Sequence, residues 1–216
     1  MTETAPLAAP ALDDLASLRA SYRQRKQALL AELGDSGNRM RGMNHVLGQL
    51  ARLTDEVLMA LWRRAGLSPR FALAAVGGFG RGELFPYSDI DVLVLLPDGA
   101  DCDSDLACKT DLEAFITSCW DVGLEIGSSV RTVSECLATA AQDITVCTSL
   151  VEARLITGSR SLFTQFSQRF KEQLDPLDFL VAKKLEMRQR HAKFEDTPYA
   201  LEPNCKESPG GLRDLQ

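Results

Sequence analysis

Ala75-Val76-Gly77-Gly78-Phe79-Gly80-Arg81-Gly82-Glu83-Leu84-Phe85-Pro86-Tyr87-Ser88-Asp89-Ile90-Asp91-Val92-Leu93-Val94-Leu95-Leu96 is the stretch that decides the fold. It reads as a strand, a glycine-rich turn, and a second strand that opens with two carboxylates two residues apart. Strand residues i and i+2 point to the same face. Asp89 and Asp91 therefore project together, while Ile90, Val92, Val94 and Leu96 enter packed layers. Adjacent carboxylates repel unless a cation or a proton intervenes. A divalent metal facing a triphosphate is the economical reason to keep such a pair. Val92-Leu93-Val94-Leu95-Leu96 is too apolar for an edge strand, so the pair lies at the mouth of a buried sheet, where ligands bind.

The glycines point the same way. Gly77, Gly78, Gly80 and Gly82 let the backbone turn tightly and bring its N–H groups close to phosphate oxygens. A Walker loop needs G-K-[ST], which is absent. A dinucleotide fingerprint beginning at Gly78 needs glycine at position 83, which is Glu83. Asp89 and Asp91 offer the hard oxygen donors that Mg²⁺ takes, with Mn²⁺ as a substitute. A third carboxylate is wanted for the side of the nucleophile. Glu125, in the next strand, is the first candidate and Asp121 the alternative. Arg81 either neutralises a phosphate or pairs with Glu83 or another carboxylate near the sheet edge. Ser88 either supports a metal-bound water or caps the turn. Arg131 and Lys206 are further candidate phosphate contacts.

Composition sets the limits. The 216 residues are 45% hydrophobic and 25% charged, an ordinary globular mix able to hold one substantial core. No stretch approaches the roughly 20 apolar residues of a membrane span, and no basic flank followed by an apolar run marks a secretory signal. A net charge of -6, with no basic cluster beyond Arg23-Gln24-Arg25-Lys26, disfavours nucleic acid as a partner. Cys102, Cys108, Cys119, Cys136, Cys147 and Cys205 form no C-x-x-C pair and read as free thiols in a reducing, cytoplasmic setting.

Along the chain, residues 1–10 read as loose, 12–33 and 39–65 as helices around a break at 34–38, and 71–76 as a strand. Val46, Leu50, Leu53, Val57 and Leu61 make the apolar stripe of the second helix. A helix over 105–119, a strand over 124–131, and helices over 134–141 and 145–156 follow. Residues from 162 to 193 read as helical throughout. The expected class is α/β (α+β), a small mixed sheet flanked by helices. Residues 1–66 form an N-terminal helical region, 67–142 the core, and 143–216 a C-terminal helical region. The tail opens a new helix at its end and has the look of a truncated piece. Asp101-x-Asp103-x-Asp105 imitates a calcium loop, but Leu106 and Leu112 occupy its obligatory glycine and glutamate positions. His45 and His191 stand isolated, with no aspartate following either.

Three blocks together carry a family resemblance. Gly77 to Asp91, Trp120-Asp121-Val122-Gly123-Leu124-Glu125-Ile126-Gly127-Ser128-Ser129-Val130-Arg131-Thr132, and Lys206-Glu207-Ser208-Pro209-Gly210-Gly211-Leu212-Arg213-Asp214-Leu215-Gln216 resemble, in this order, the bacterial PII uridylyltransferase/uridylyl-removing family. Ser128 stands where that family carries a bulkier or more polar residue. The resemblance implies a DNA polymerase β-like nucleotidyltransferase fold. It implies transfer of UMP from UTP to a tyrosine of the nitrogen-regulatory protein PII, with release of pyrophosphate. Gly77, Gly78 and Arg81 would then belong to the phosphate loop, and Asp89 and Asp91 to the metal. The family's histidine-aspartate hydrolase and glutamine-sensing ACT domains do not fit into 216 residues. Two other readings stand beside this one: nucleotidyl transfer, adenylyl for example, to another acceptor, and a catalytically idle segment that binds partner proteins.

Overall fold

The computed structural model describes residues 14–35, 39–102, 104–194, 197, 202 and 204–215. The expected loose start, most of the break at 34–38, and Asp103 lie outside these residues.

Two helices come first, α1 (Leu15–Asp35) and α2 (Arg39–Arg64). Val46, Leu50, Leu53, Val57 and Leu61 recur at helical spacing on α2, and all five are buried. Tyr22 of α1 is buried against this cluster, and Arg25 reaches Glu56 at 2.7 Å.

The sheet follows. Its strands β1 (Ala72–Ala75), β2 (Ile90–Leu96), β3 (Ile126–Thr132) and β4 (Arg154–Gly158) lie in the order β3-β2-β1-β4. β1 is antiparallel to both β2 and β4, and β2 runs parallel to β3, so the sheet is mixed as expected. β2 is central, as its apolar run requires.

Strand alternation sorts the sheet into two buried faces. Leu73, Ala75, Val92 and Val94 pack on α1, α2 and α4 (Leu106–Val122). There, Phe115 meets Trp62 edge-on with ring centroids 5.4 Å apart. Ala72, Ala74, Leu93 and Leu95 pack on α5 (Val133–Gln142), α6 (Ile144–Val151) and α7 (Arg160–Gln173). Alanine at three of the four β1 positions lets the helical layers approach the sheet closely.

Helix starts follow local chemistry. Asp105 accepts from the amides of Ala107 and Cys108, Asp143 from those of Thr145 and Val146, and Asp175 from those of Leu177 and Asp178. Thr132 and Glu135 form a capping box. Asp105, the last acid of the run that imitates a calcium loop, is therefore the cap of α4, and Asp101 accepts from Ser104. No helix among the described residues is long and apolar enough to cross a membrane.

Several expectations need correction. The glycine-rich turn expected at 77–80 is a single helical turn, α3 (Gly77–Gly80). Residues 154–156 belong to β4 rather than to a helix, because β1 offers a free edge that Arg154, Leu155, Thr157 and Gly158 pair with. The helical run after 162 breaks at Leu174, where Asp175 caps α8 (Pro176–Lys193). Cys102 and Cys108 are joined in a disulfide across the cap of α4, their Cα atoms 5.2 Å apart, while the other four cysteines are free.

His191 is not isolated either. Its Nε2 lies 2.9 Å from Asp214 Oδ2, and Arg190, 8% exposed, donates to Asp214 Oδ1 at 2.8 Å. The last short helix, α9 (Leu212–Leu215), is thereby tied to α8. Burial alone would raise the Asp214 carboxyl, but Arg190, the Gly210 amide and His191 outweigh it and hold the group down at about 2. An acid depressed in the folded state contributes stability above its unfolded value, near 3.8, and loses it as pH falls through the folded one. In urea titrations, the stability lost by Asp214→Asn relative to wild type should be constant above about pH 5 and shrink steadily toward pH 2. A gap that does not change with pH would contradict this.

Candidate active site

The site forms where β1 ends and β2 begins. The Val76 amide donates to the Asp91 carbonyl at 3.1 Å, which fastens the entrance of α3 to the start of β2. The Ile90 amide donates to the Glu125 carbonyl at 2.9 Å, which fastens the approach to β3 on the other side.

Asp91 pairs with Gly127 across the parallel ladder. A Cβ on Gly127 would lie 2.7 Å from Asp91 Oδ1, so glycine there makes room for the carboxylate. A Cβ on Gly77 would lie 3.5 Å from Asp91 Oδ2. Asp91 thus projects between the glycine turn and β3. Glu125 stands two residues before Gly127, on the face that carries Asp91. Asp121 rides on the last turn of α4, the helix that covers the opposite face.

Electrostatics mark Asp91 out. Burial first, then the charge of Asp89, push its carboxyl above the usual range, and Lys206 partly offsets them. Asp89, Asp91, Asp121 and Glu125 are all solvent-exposed. Among the described residues no three His, Cys, Asp or Glu side chains converge closely enough to hold a metal. What fits a hard divalent cation is the donor chemistry: carboxylate oxygens, with the space at Gly127 kept open for one of them.

The remaining candidates divide. Of the two readings of Arg81, the structure takes the ion pair, with Nη1 2.6 Å from Glu152 and Nε 3.7 Å from Glu83. Ser88 lies in the turn just before Asp89, where its amide donates to the Phe85 carbonyl at 3.1 Å. Arg131 pairs with Leu95, four residues from Asp91. That is about 13 Å along the strand.

Arg154 is the residue that sequence reasoning missed. From β4 it grips Asp55 of α2 through both nitrogens, at 2.8 and 3.1 Å. It also donates to the carbonyls of Gly80 and Phe79, at 3.3 and 3.4 Å. It therefore braces the C-terminal end of α3. Gly80 is fixed by packing, since any side chain there would run into the Glu152 carbonyl. No local signal joins Arg154 to Asp55, which lies 99 residues away.

A mixed sheet whose central strand opens with Asp-x-Asp beside a Gly-Gly turn defines a nucleotidyltransferase domain, and residues 59–134 match the "Nucleotidyltransferase domain" family. Residues 178–216 match "GlnD PII-uridylyltransferase". The chain as a whole matches the nucleotidyltransferase part of the bifunctional uridylyltransferases. It is 60% identical over 174 residues to the bifunctional uridylyltransferase/uridylyl-removing enzyme of Ralstonia nicotianae, covering 81% of this chain and 20% of that protein. It is 54% identical over 209 residues to the enzyme of that name from Burkholderia orbicola, covering 97% and 23%. The chain thus spans about a fifth of the length of these relatives. A solved toxin-antitoxin structure, MntA-HpeT, overlaps 66% of this chain and 96% of its own at 13% identity and a TM-score of 0.33, too weak a likeness to carry any argument.

The raised Asp91 carboxyl has a consequence for stability. An acid raised in the folded state costs nothing below its unfolded value, near 3.8, and costs progressively more as pH rises through the folded one. With chelator present, Asp91→Asn should melt at a higher temperature than wild type at pH 7, and the difference should vanish toward pH 3. Equal melting temperatures at pH 7 would contradict the strain assigned to the pair.

Proposed function

We propose that this chain transfers UMP from UTP to a tyrosine hydroxyl of the regulatory protein PII and releases pyrophosphate. The observation that carries the proposal is the placement of Asp91 between the glycine turn and Gly127, at the start of the central strand. The names of the relatives, which match over as much as 97% of this chain, supply the uridylyl group, and the family matched by residues 178–216 supplies PII.

Asp89 and Asp91 are the residues that would hold Mg²⁺ or Mn²⁺. Glu125 takes the third carboxylate role in preference to Asp121, because it shares a sheet face with Asp91. The cation, when bound, offsets phosphate charge and favours the ionised nucleophile.

The chain's own groups do the rest. At Gly77 and Gly78 the first amides of α3 have no intrahelical acceptor and face the phosphates. Arg81, held by Glu152, and Arg154, held by Asp55, keep that turn rigid. Ser88 closes the turn that delivers Asp89. The tyrosine oxygen forms a bond to the α-phosphorus as the bond to pyrophosphate breaks in line, and Glu125 takes the phenolic proton. The setting is cytoplasmic, with neither nucleic acid nor membrane as a partner.

Asp91→Ala should keep the fold and lower UMP incorporation into PII about a thousandfold or more. Labelled UTP, ATP, CTP and GTP, each offered with purified PII, provide the measurement. Transfer from UTP by the variant at the wild-type rate would refute the site, and transfer from ATP alone would replace uridylyl with adenylyl.

A further inference from the structure

Helix α6 runs along the glycine turn and meets it at both ends. At the far end, the Glu152 carbonyl leaves no room for a side chain on Gly80, and the Glu152 carboxylate holds Arg81 at 2.6 Å. At the near end, a Cβ on Gly77 would lie 4.0 Å from Ser149 Cβ and 3.5 Å from Asp91 Oδ2. Ser149 precedes Glu152 by three residues, as Gly77 precedes Gly80, so the two contacts fix one register between the segments.

Ser149 approaches from the side of the sheet that carries the carboxylate. Cys147 and Leu150 of α6 pack with Leu93 and Leu95. Asp91 stands two residues before Leu93 and so faces that layer as well. Ser149 and Asp91 therefore border one space, left open by the missing side chain of Gly77. Gly77 has a φ of 56°, a conformation in which a side chain is strained.

The hydroxyl of Ser149 can change partner at little cost. It donates to the Val146 carbonyl at 3.2 Å, a bond within its own helix. An α-helical carbonyl also accepts from the amide four residues on, so that of Val146 stays satisfied when the hydroxyl turns away. Thr148 makes a bond of the same kind, to the Ile144 carbonyl at 2.7 Å, about 100° round the helix from Ser149.

Chemistry suits an alcohol to this position. Arg81 is engaged by Glu152 and Arg154 by Asp55. A lysine or arginine in place of Ser149 would pair with Asp91 and compete with a metal ion for it. A neutral hydroxyl supplies a directed donor to a phosphate oxygen and leaves the carboxylates free.

We propose that Ser149 binds the phosphate chain of the nucleoside triphosphate, its Oγ turning from the Val146 carbonyl to donate to a phosphate oxygen lodged at Gly77. This rests on the nucleotidyl reading given above and adds to it a residue from α6.

Calorimetric titration of this chain with UTP in the presence of Mg²⁺ tests the contact. Ser149→Ala should weaken UTP about fivefold, the loss of one neutral hydrogen bond. Thr148→Ala removes an equivalent hydroxyl that points elsewhere, and it should bind UTP as wild type does. Thermal unfolding of Ser149→Ala should also match wild type. Unchanged UTP affinity in Ser149→Ala, an equal loss in Thr148→Ala, or a loss that comes with a lowered melting temperature overturns the role of Ser149 alone. Failure of the wild-type chain to bind UTP overturns the nucleotidyl reading and the contact with it.

Discussion

Repulsion between Asp89 and Asp91 is the constraint around which the site is built. Left to themselves the two carboxylates would separate. They are held at the start of β2 because Val92 to Leu96 are buried on both faces of a central strand, which anchors everything beyond Asp91 in the core. The hydrophobic effect thus positions a pair of anions at one end of β2, and the cost falls on Asp91, whose carboxyl is raised by desolvation and then by the charge of Asp89.

The supports of the site come from elements far apart in the chain. β1 presents the glycine turn, β3 gives up a side chain at Gly127, and β4 sends Arg154 across to Asp55. Each support removes a freedom that the site would otherwise have to lose when a ligand binds. The tail is fastened to α8 through Arg190 and Asp214.

Much of this was legible in the sequence, because the deciding signals are local. The alternation and apolar run of β2 and the stripe on α2 each lie within one element, and each is found where local chemistry puts it. What escaped depends on distant partners. β4 is five residues long and directly follows a helix, so only the open edge of β1 makes it a strand. α3 carries three glycines, which propensity counts against a helix, and packing on Glu152 together with the brace from Arg154 overrides that preference. His191 looked isolated because Asp214 lies 23 residues on.

The account stands on Asp89, Asp91 and Glu125 facing one metal-bound triphosphate beside the glycine turn. A crystal structure with Mn²⁺ and a non-hydrolysable UTP analogue tests this most directly. Anomalous density about 2.2 Å from carboxylate oxygens of Asp89 and Asp91, with the phosphates against Gly77 and Gly78, is the predicted result. Manganese or phosphate bound elsewhere, with those two carboxylates left without a ligand, would contradict it.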